Sequence, residues 1–162
     1  MPYTNKRKAL SEKQAFEKIQ SYCAYQERSK KDVLEKLYEF GLTKDVTEAI
    51  INKLISENFL NESRFGQSFA RGKFRMKKWG KNKIVQELMR KGLSEKEISN
   101  SLKEIDEESY LHSLESLLTK KNELLKDEDK YKKIQKLAAF AIRKGYEQEL
   151  VWEKIKELFA EY

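Results

Sequence analysis

The sequence predicts an all-α fold: three tandem three-helix repeats in an elongated, curved arrangement. Three observations carry this prediction. The only proline among the 162 residues is Pro2, and glycines number six, too few turn-formers for an all-β chain. Apolar residues recur at helical spacing. Three segments, residues 32–55, 83–105 and 136–158, follow one pattern when aligned on Gly41, Gly92 and Gly145. Eight positions before the glycine stands Val33, Ile84 or Leu137, and four before it Leu37, Leu88 or Ala141. One after it stands Leu42, Leu93 or Tyr146, ten after it Ile51, Leu102 or Ile155, and thirteen after it Leu54, Ile105 or Leu158.

The elements follow in chain order. Residues 1–10 form an N-terminal tail. Residues 11–60 make the first repeat, opened by a helix carrying Ala15, Phe16, Ile19 and Cys23. The pair around Gly41 follows, its glycine left-handed at the end of one helix and Thr43 capping the next. Residues 61–106 make the second repeat. Its opening helix places Phe65, Phe69, Gly72 and Met76 on one side, which is the expected core stripe, with Phe74 opposite and outward. Ser94 and Glu97 form a capping box after Gly92. Residues 107–162 make the third repeat, opened by Leu111, Leu114, Leu117 and Leu118. Its connection over 124–133 is longer, and Asp127-Glu128-Asp129 reads there as a solvated loop. Glu147 takes the capping position, so this turn is expected to differ. The boundaries fall at 59–63 and 105–109.

Charge is distributed unevenly. The net charge is +7, and 38% of residues are charged, against about 25% in an average domain. Residues 1–60 hold 11 basic and 9 acidic side chains, residues 61–106 hold 12 and 6, and residues 107–162 hold 11 and 12. The excess therefore sits in the second repeat and favours a polyanionic partner.

Catalytic equipment is missing from the pattern. His112 is the single histidine, and Cys23 the single cysteine, with no group placed to activate it and no Cys/His metal spacing. Asp106-Glu107-Glu108 and Asp127-Glu128-Asp129 fall at helix boundaries, where carboxylates favour the positive helix end. GQSFARGK (66–73) fails as a phosphate-binding loop: five residues separate its glycines and Phe74 replaces the magnesium-binding hydroxyl. No enzyme activity, cofactor or metal is expected. A lone cysteine, no apolar leader and no membrane-length apolar run predict a soluble cytoplasmic protein, expected as a monomer without membrane partners.

The basic stretch RGKFRMKKWGKNK (71–83) is the candidate binding surface. It contains Arg71, Lys73, Arg75, Lys77, Lys78, Lys81 and Lys83 with Phe74 and Trp79, and no acid occurs from Ser63 to Gln86. Arg71, Arg75 and Lys78 fall on one ridge. Such a surface neutralises phosphates without reading bases, and an outward Phe74 suits stacking on a base or packing on a partner. Trp79 is read equally as a contact residue or as packing under the turn.

The chain resembles the RecX family of modulators of the RecA recombinase. Three motifs carry the resemblance: Arg28-Ser29 leading through Asp32-Val33 and Lys36-Leu37 to the Gly41 turn; Leu60, Glu62, Arg64 and Phe65; and the basic helix followed by Trp79-Gly80 and then Ile84, Glu87, Leu88, Lys91 and Gly92. The resemblance spans residues 11–158 and is weakest in the third repeat. It implies a non-enzymatic regulator that binds in the groove of the RecA–DNA filament and limits filament growth, ATP hydrolysis and strand exchange. It implies RecA and non-specific single- and double-stranded DNA as partners. Two other readings stay open: a helix–turn–helix DNA-binding regulator with a preferred duplex sequence, and a scaffold that binds protein only.

Overall fold

A computed structural model of the chain describes residues 10–126 and 129–160. Among the described residues there are nine α-helices and no strand: α1 (Glu12–Tyr25), α2 (Lys30–Glu39), α3 (Lys44–Ser56), α4 (Glu62–Lys77), α5 (Lys81–Arg90), α6 (Glu95–Leu102), α7 (Glu107–Leu124), α8 (Lys130–Arg143) and α9 (Gln148–Ala160). They form three successive three-helix repeats. The first nine residues, and Asp127 and Glu128 of the acidic stretch, lie outside the described residues. Among the described residues no helix is long and apolar enough to cross a membrane.

The repeat arises from local chemistry. Gly41, Gly92 and Gly145 have φ of 72°, 83° and 105°, values open to glycine without steric penalty. In the second and third repeats the glycine and the following residue donate back to the helix end: Gly92 to Met89 and Leu93 to Leu88, Gly145 to Ile142 and Tyr146 to Ala141. These paired bonds satisfy carbonyls that a helix end would otherwise leave open. Thr43 and Ser94 then cap α3 and α6, and Glu97 completes the box at Ser94. Two further capping boxes, Ser11 with Gln14 and Ser29 with Asp32, start α1 and α2. The aligned apolar columns lie inside: Val33, Ile84, Leu137, Leu37, Leu88 and Ala141 are fully buried.

Packing divides the chain into two cores. Ala15, Ile19, Cys23, Val33, Leu37, Ile50, Ile51, Leu54 and Leu60 form the core of the first repeat. A second core runs without a break through the second and third repeats, from Phe65 to Ile155. Burial raises the pKa of the Cys23 thiol, outweighing the nearby Arg28, so the group stays protonated and packs as a small apolar side chain.

Candidate nucleic-acid interface

The basic stretch is the last two turns of α4, a tight turn and the start of α5. Lys78 ends α4 in the left-handed conformation, φ 58°, and its amide bonds the carbonyls of Lys73 and Phe74. Gly80 then starts α5 without a side-chain cap. Its amide donates instead to the Lys144 carbonyl at 2.8 Å, and the Asn82 amide donates to the Gly145 carbonyl at 2.9 Å. The α4–α5 turn is thus docked backbone to backbone on the α8–α9 turn of the third repeat. A Cβ on Gly80 would lie 2.2 Å from both the Gly145 carbonyl carbon and the Tyr146 nitrogen, so only glycine fits.

Two tyrosines complete this seal. The Tyr110 hydroxyl accepts from the Lys81 amide at 3.0 Å and donates to Glu147. The Tyr146 hydroxyl donates to the Lys78 carbonyl at 3.0 Å and receives Ser113 Oγ at 3.0 Å. The rings stack, centroids 5.1 Å apart. Burial, reinforced at Tyr110 by the bond to Glu147, pushes both phenols upward, so both remain hydrogen-bond donors. Lys144 Nζ also reaches the Lys77 carbonyl at 3.2 Å. Glu147, which departs from the capping pattern, has become the acceptor for Tyr110.

This arrangement corrects the expected orientation of α4. Phe74 is 8% exposed and packs on Tyr110 at 5.9 Å between centroids, so its ring does not face outward and offers no stacking platform. Met76, expected in the core, is 84% exposed. Gly72 meets nothing within 4 Å of its Cβ position. The physical reason is that α4 is covered on two sides. Phe65, Ala70 and Phe74 all belong to the second core with Phe69 packed against it, Gly66 lies against Ser101 of α6, and Phe74 against Tyr110 of α7. At Gly66 a Cβ would lie 2.1 Å from Ser101 Oγ, so α4 and α6 approach closely there.

The cations divide into paired and open groups. Arg71 bonds Glu104 at 3.0 Å, and Lys81 bonds Glu107 at 3.0 Å while lying over the Tyr110 ring. The stretch is free of acids in sequence but not in space. Trp79 is half-buried with its edge on Phe69, and the ammonium groups of Lys73 and Lys83 flank its ring at 5.0 and 4.6 Å. The side chains of Arg75, Lys77 and Lys78 are exposed and carry no ion pair among the described residues. Of the ridge Arg71–Arg75–Lys78, the last two are therefore open.

Arg75 and Lys78 border a groove of about 430 Å³ between α4 and α7, whose other wall carries His112 and Lys120. The sequence assigns neither residue to the binding surface and treats His112 only as a lone histidine, although His112, Ser116 and Lys120 recur at helical spacing on α7. Among the described residues no group of three His, Cys, Asp or Glu side chains is placed to hold a metal.

The motif residues of the sequence have a different location. Glu62 accepts the Lys30 amide at 2.7 Å, and Arg64 bonds Glu27 at 2.8 Å and the Asn58 side chain at 2.9 Å. Lys91 bonds Asp32 at 2.6 Å, and Lys31 Nζ reaches the Arg90 carbonyl at 3.0 Å. These groups join the first repeat to the second. Partial burial would raise the pKa of the Asp32 carboxyl, but the bonds from Lys91 and Ser29 prevail and hold it below the ordinary carboxylate value.

Residues 61–102 match the family model described as the second three-helix domain of RecX, and residues 107–155 match that of the third. The chain is 32% identical over 148 residues to the regulatory protein RecX of Lactobacillus gasseri, covering 89% of this chain and 53% of that one. It is 30% identical over 151 residues to the regulatory protein RecX of Clostridioides difficile, covering 91% and 70%. The chain spans about half the length of curated relatives such as the L. gasseri protein. Its fold is similar to the crystal structure of RecX from Lactobacillus salivarius, with a TM-score of 0.83 at 22% identity over 92% of this chain and 97% of that one.

Proposed function

This chain belongs to the RecX family, and on that premise we propose that it is a non-enzymatic modulator, mainly an inhibitor, of the RecA recombinase. It binds in the groove of the RecA–DNA filament as a monomer in the cytoplasm and limits filament growth, ATP hydrolysis and strand exchange. The observation that supports a polyanionic partner is the set Arg75, Lys77 and Lys78, exposed and without an ion pair among the described residues, at the end of α4 and in a turn whose backbone is fixed by the third repeat. A fixed turn loses little freedom on binding, so more of the electrostatic gain appears as affinity. Each phosphate neutralised releases counterions, which makes binding salt-dependent and indifferent to base sequence. Lys73, Lys81 and Lys83 add to the local potential from beside Trp79 and Tyr110.

The test is RecA ATPase on single-stranded DNA. Substoichiometric wild-type protein is expected to lower the rate, and Arg75→Glu combined with Lys78→Glu to abolish the effect with helicity unchanged. An unchanged ATPase and filament length at equimolar wild-type protein would overturn the reading.

A further inference from the structure

We propose that the groove between the end of α4 and the flank of α7 is a phosphodiester seat for nucleic-acid backbone, shared between the second and third repeats. Arg75 and Lys78 supply one wall, and His112 and Lys120 the other, with the hydroxyl of Ser116 between them; Ser109 also lines the groove, but its hydroxyl donates to Asp106. Among the described residues no carboxylate lines it. Charge is sorted across α7: the neighbouring hollow, which shares Ser109 and His112, carries Asp106, Glu108 and Glu115. Ser109, His112, Ser116 and Lys120 recur at three- and four-residue steps, so one helix face presents all four. The walls are tied together, because the Tyr146 hydroxyl bonds both the Lys78 carbonyl and Ser113 of α7.

The donor set selects the ligand. Cations on two walls, with the neutral Ser116 hydroxyl between, suit a tetrahedral group whose oxygens point in several directions. Backbone phosphate meets that need, and sugar fits the apolar floor of Phe74 and Leu117. Phe74 is buried and offers no stacking face, and contacts made to phosphate leave the seat indifferent to sequence. The inference rests on the polyanionic partner of the proposed function and adds the third repeat to its contact surface.

The experiment is fluorescence anisotropy of dye-labelled oligo(dT) with the full chain across a salt series. The double variant His112→Asn/Lys120→Gln changes exposed side chains and is expected to keep its circular dichroism spectrum. Its affinity should fall, and Lys120→Gln alone should flatten the log–log salt slope by about 0.7, the value for one phosphate contact on a single strand. Lys156→Gln, exposed on α9, should match wild type. If the double variant binds with wild-type affinity and slope while Arg75→Gln/Lys78→Gln binds weakly, the seat is overturned and the polyanionic reading stands. If wild type binds no DNA, both fall. If the double variant keeps DNA binding but loses RecA filaments, the groove meets an acidic protein surface and the seat is again overturned.

Discussion

The junction between the second and third repeats and the junction between the first and second differ in substance. The former is a continuous apolar core closed by a glycine-to-glycine backbone contact and two buried tyrosines. The latter leaves two separate cores and joins them through Arg64 with Glu27, Lys91 with Asp32, and the Lys30 amide with Glu62. Packing and buried hydrogen bonds persist at any ionic strength, whereas partly exposed ion pairs are individually weak and screened by salt. One chain therefore combines a rigid unit, which carries the basic surface, with a first repeat held by adjustable polar contacts. The family motifs around Asp32, Glu62, Arg64 and Lys91 belong to the adjustable junction rather than to the basic surface.

The contrast is broken most severely at Gly80. Gly80→Ala inserts a Cβ 2.2 Å from the backbone of the opposing turn. It is expected to destabilise the second and third repeats together by roughly 3 kcal/mol, the upper range for overpacking. Urea denaturation followed by Trp79 and Trp152 fluorescence measures this, and a loss within error would show that the turns are not in contact. Tyr110→Phe comes next, since it strands the Lys81 amide and removes the donor to Glu147. A loss of about 1–3 kcal/mol is expected for such unsatisfied groups. An unchanged denaturation midpoint would remove the hydroxyl from the account.

Lys91→Ala has the smallest effect on stability, less than about 1 kcal/mol for a partly exposed pair. Its consequence is geometric. Small-angle scattering should show the first repeat swinging away from the rest, and high salt should do the same to wild type. A scattering profile insensitive to both would mean that the polar junction does not set the angle.

The helices and their ends were legible in the sequence because they depend on local chemistry: a glycine that accepts positive φ, a Ser or Thr before an apolar run, and columns at helical spacing. The orientation of α4 was not. A helical wheel assigns one apolar side, but Gly66 lies against α6 and Phe74 against α7, which belongs to another repeat. Met76 looked buried by phase, yet it lies in the last turn of α4 and is exposed. Arg71 seemed unpaired because its acid, Glu104, is 33 positions away. Trp79 was read either way, and it takes the packing position with lysines on both sides of its ring. The Tyr110 and Tyr146 network had a faint trace in Glu147, the residue that breaks the capping pattern, but nothing in the spacing names its partner.

Native-state hydrogen exchange tests the central claim, that the third repeat holds the basic turn. The Gly80 and Asn82 amides, bonded to Lys144 and Gly145, are predicted to exchange only when the second and third repeats unfold together. The Lys30 amide, bonded to Glu62 across the polar junction, is predicted to exchange by local opening with the rest of the chain intact. Rapid exchange at Gly80 and Asn82 under conditions that leave α4 and α8 protected would contradict the account.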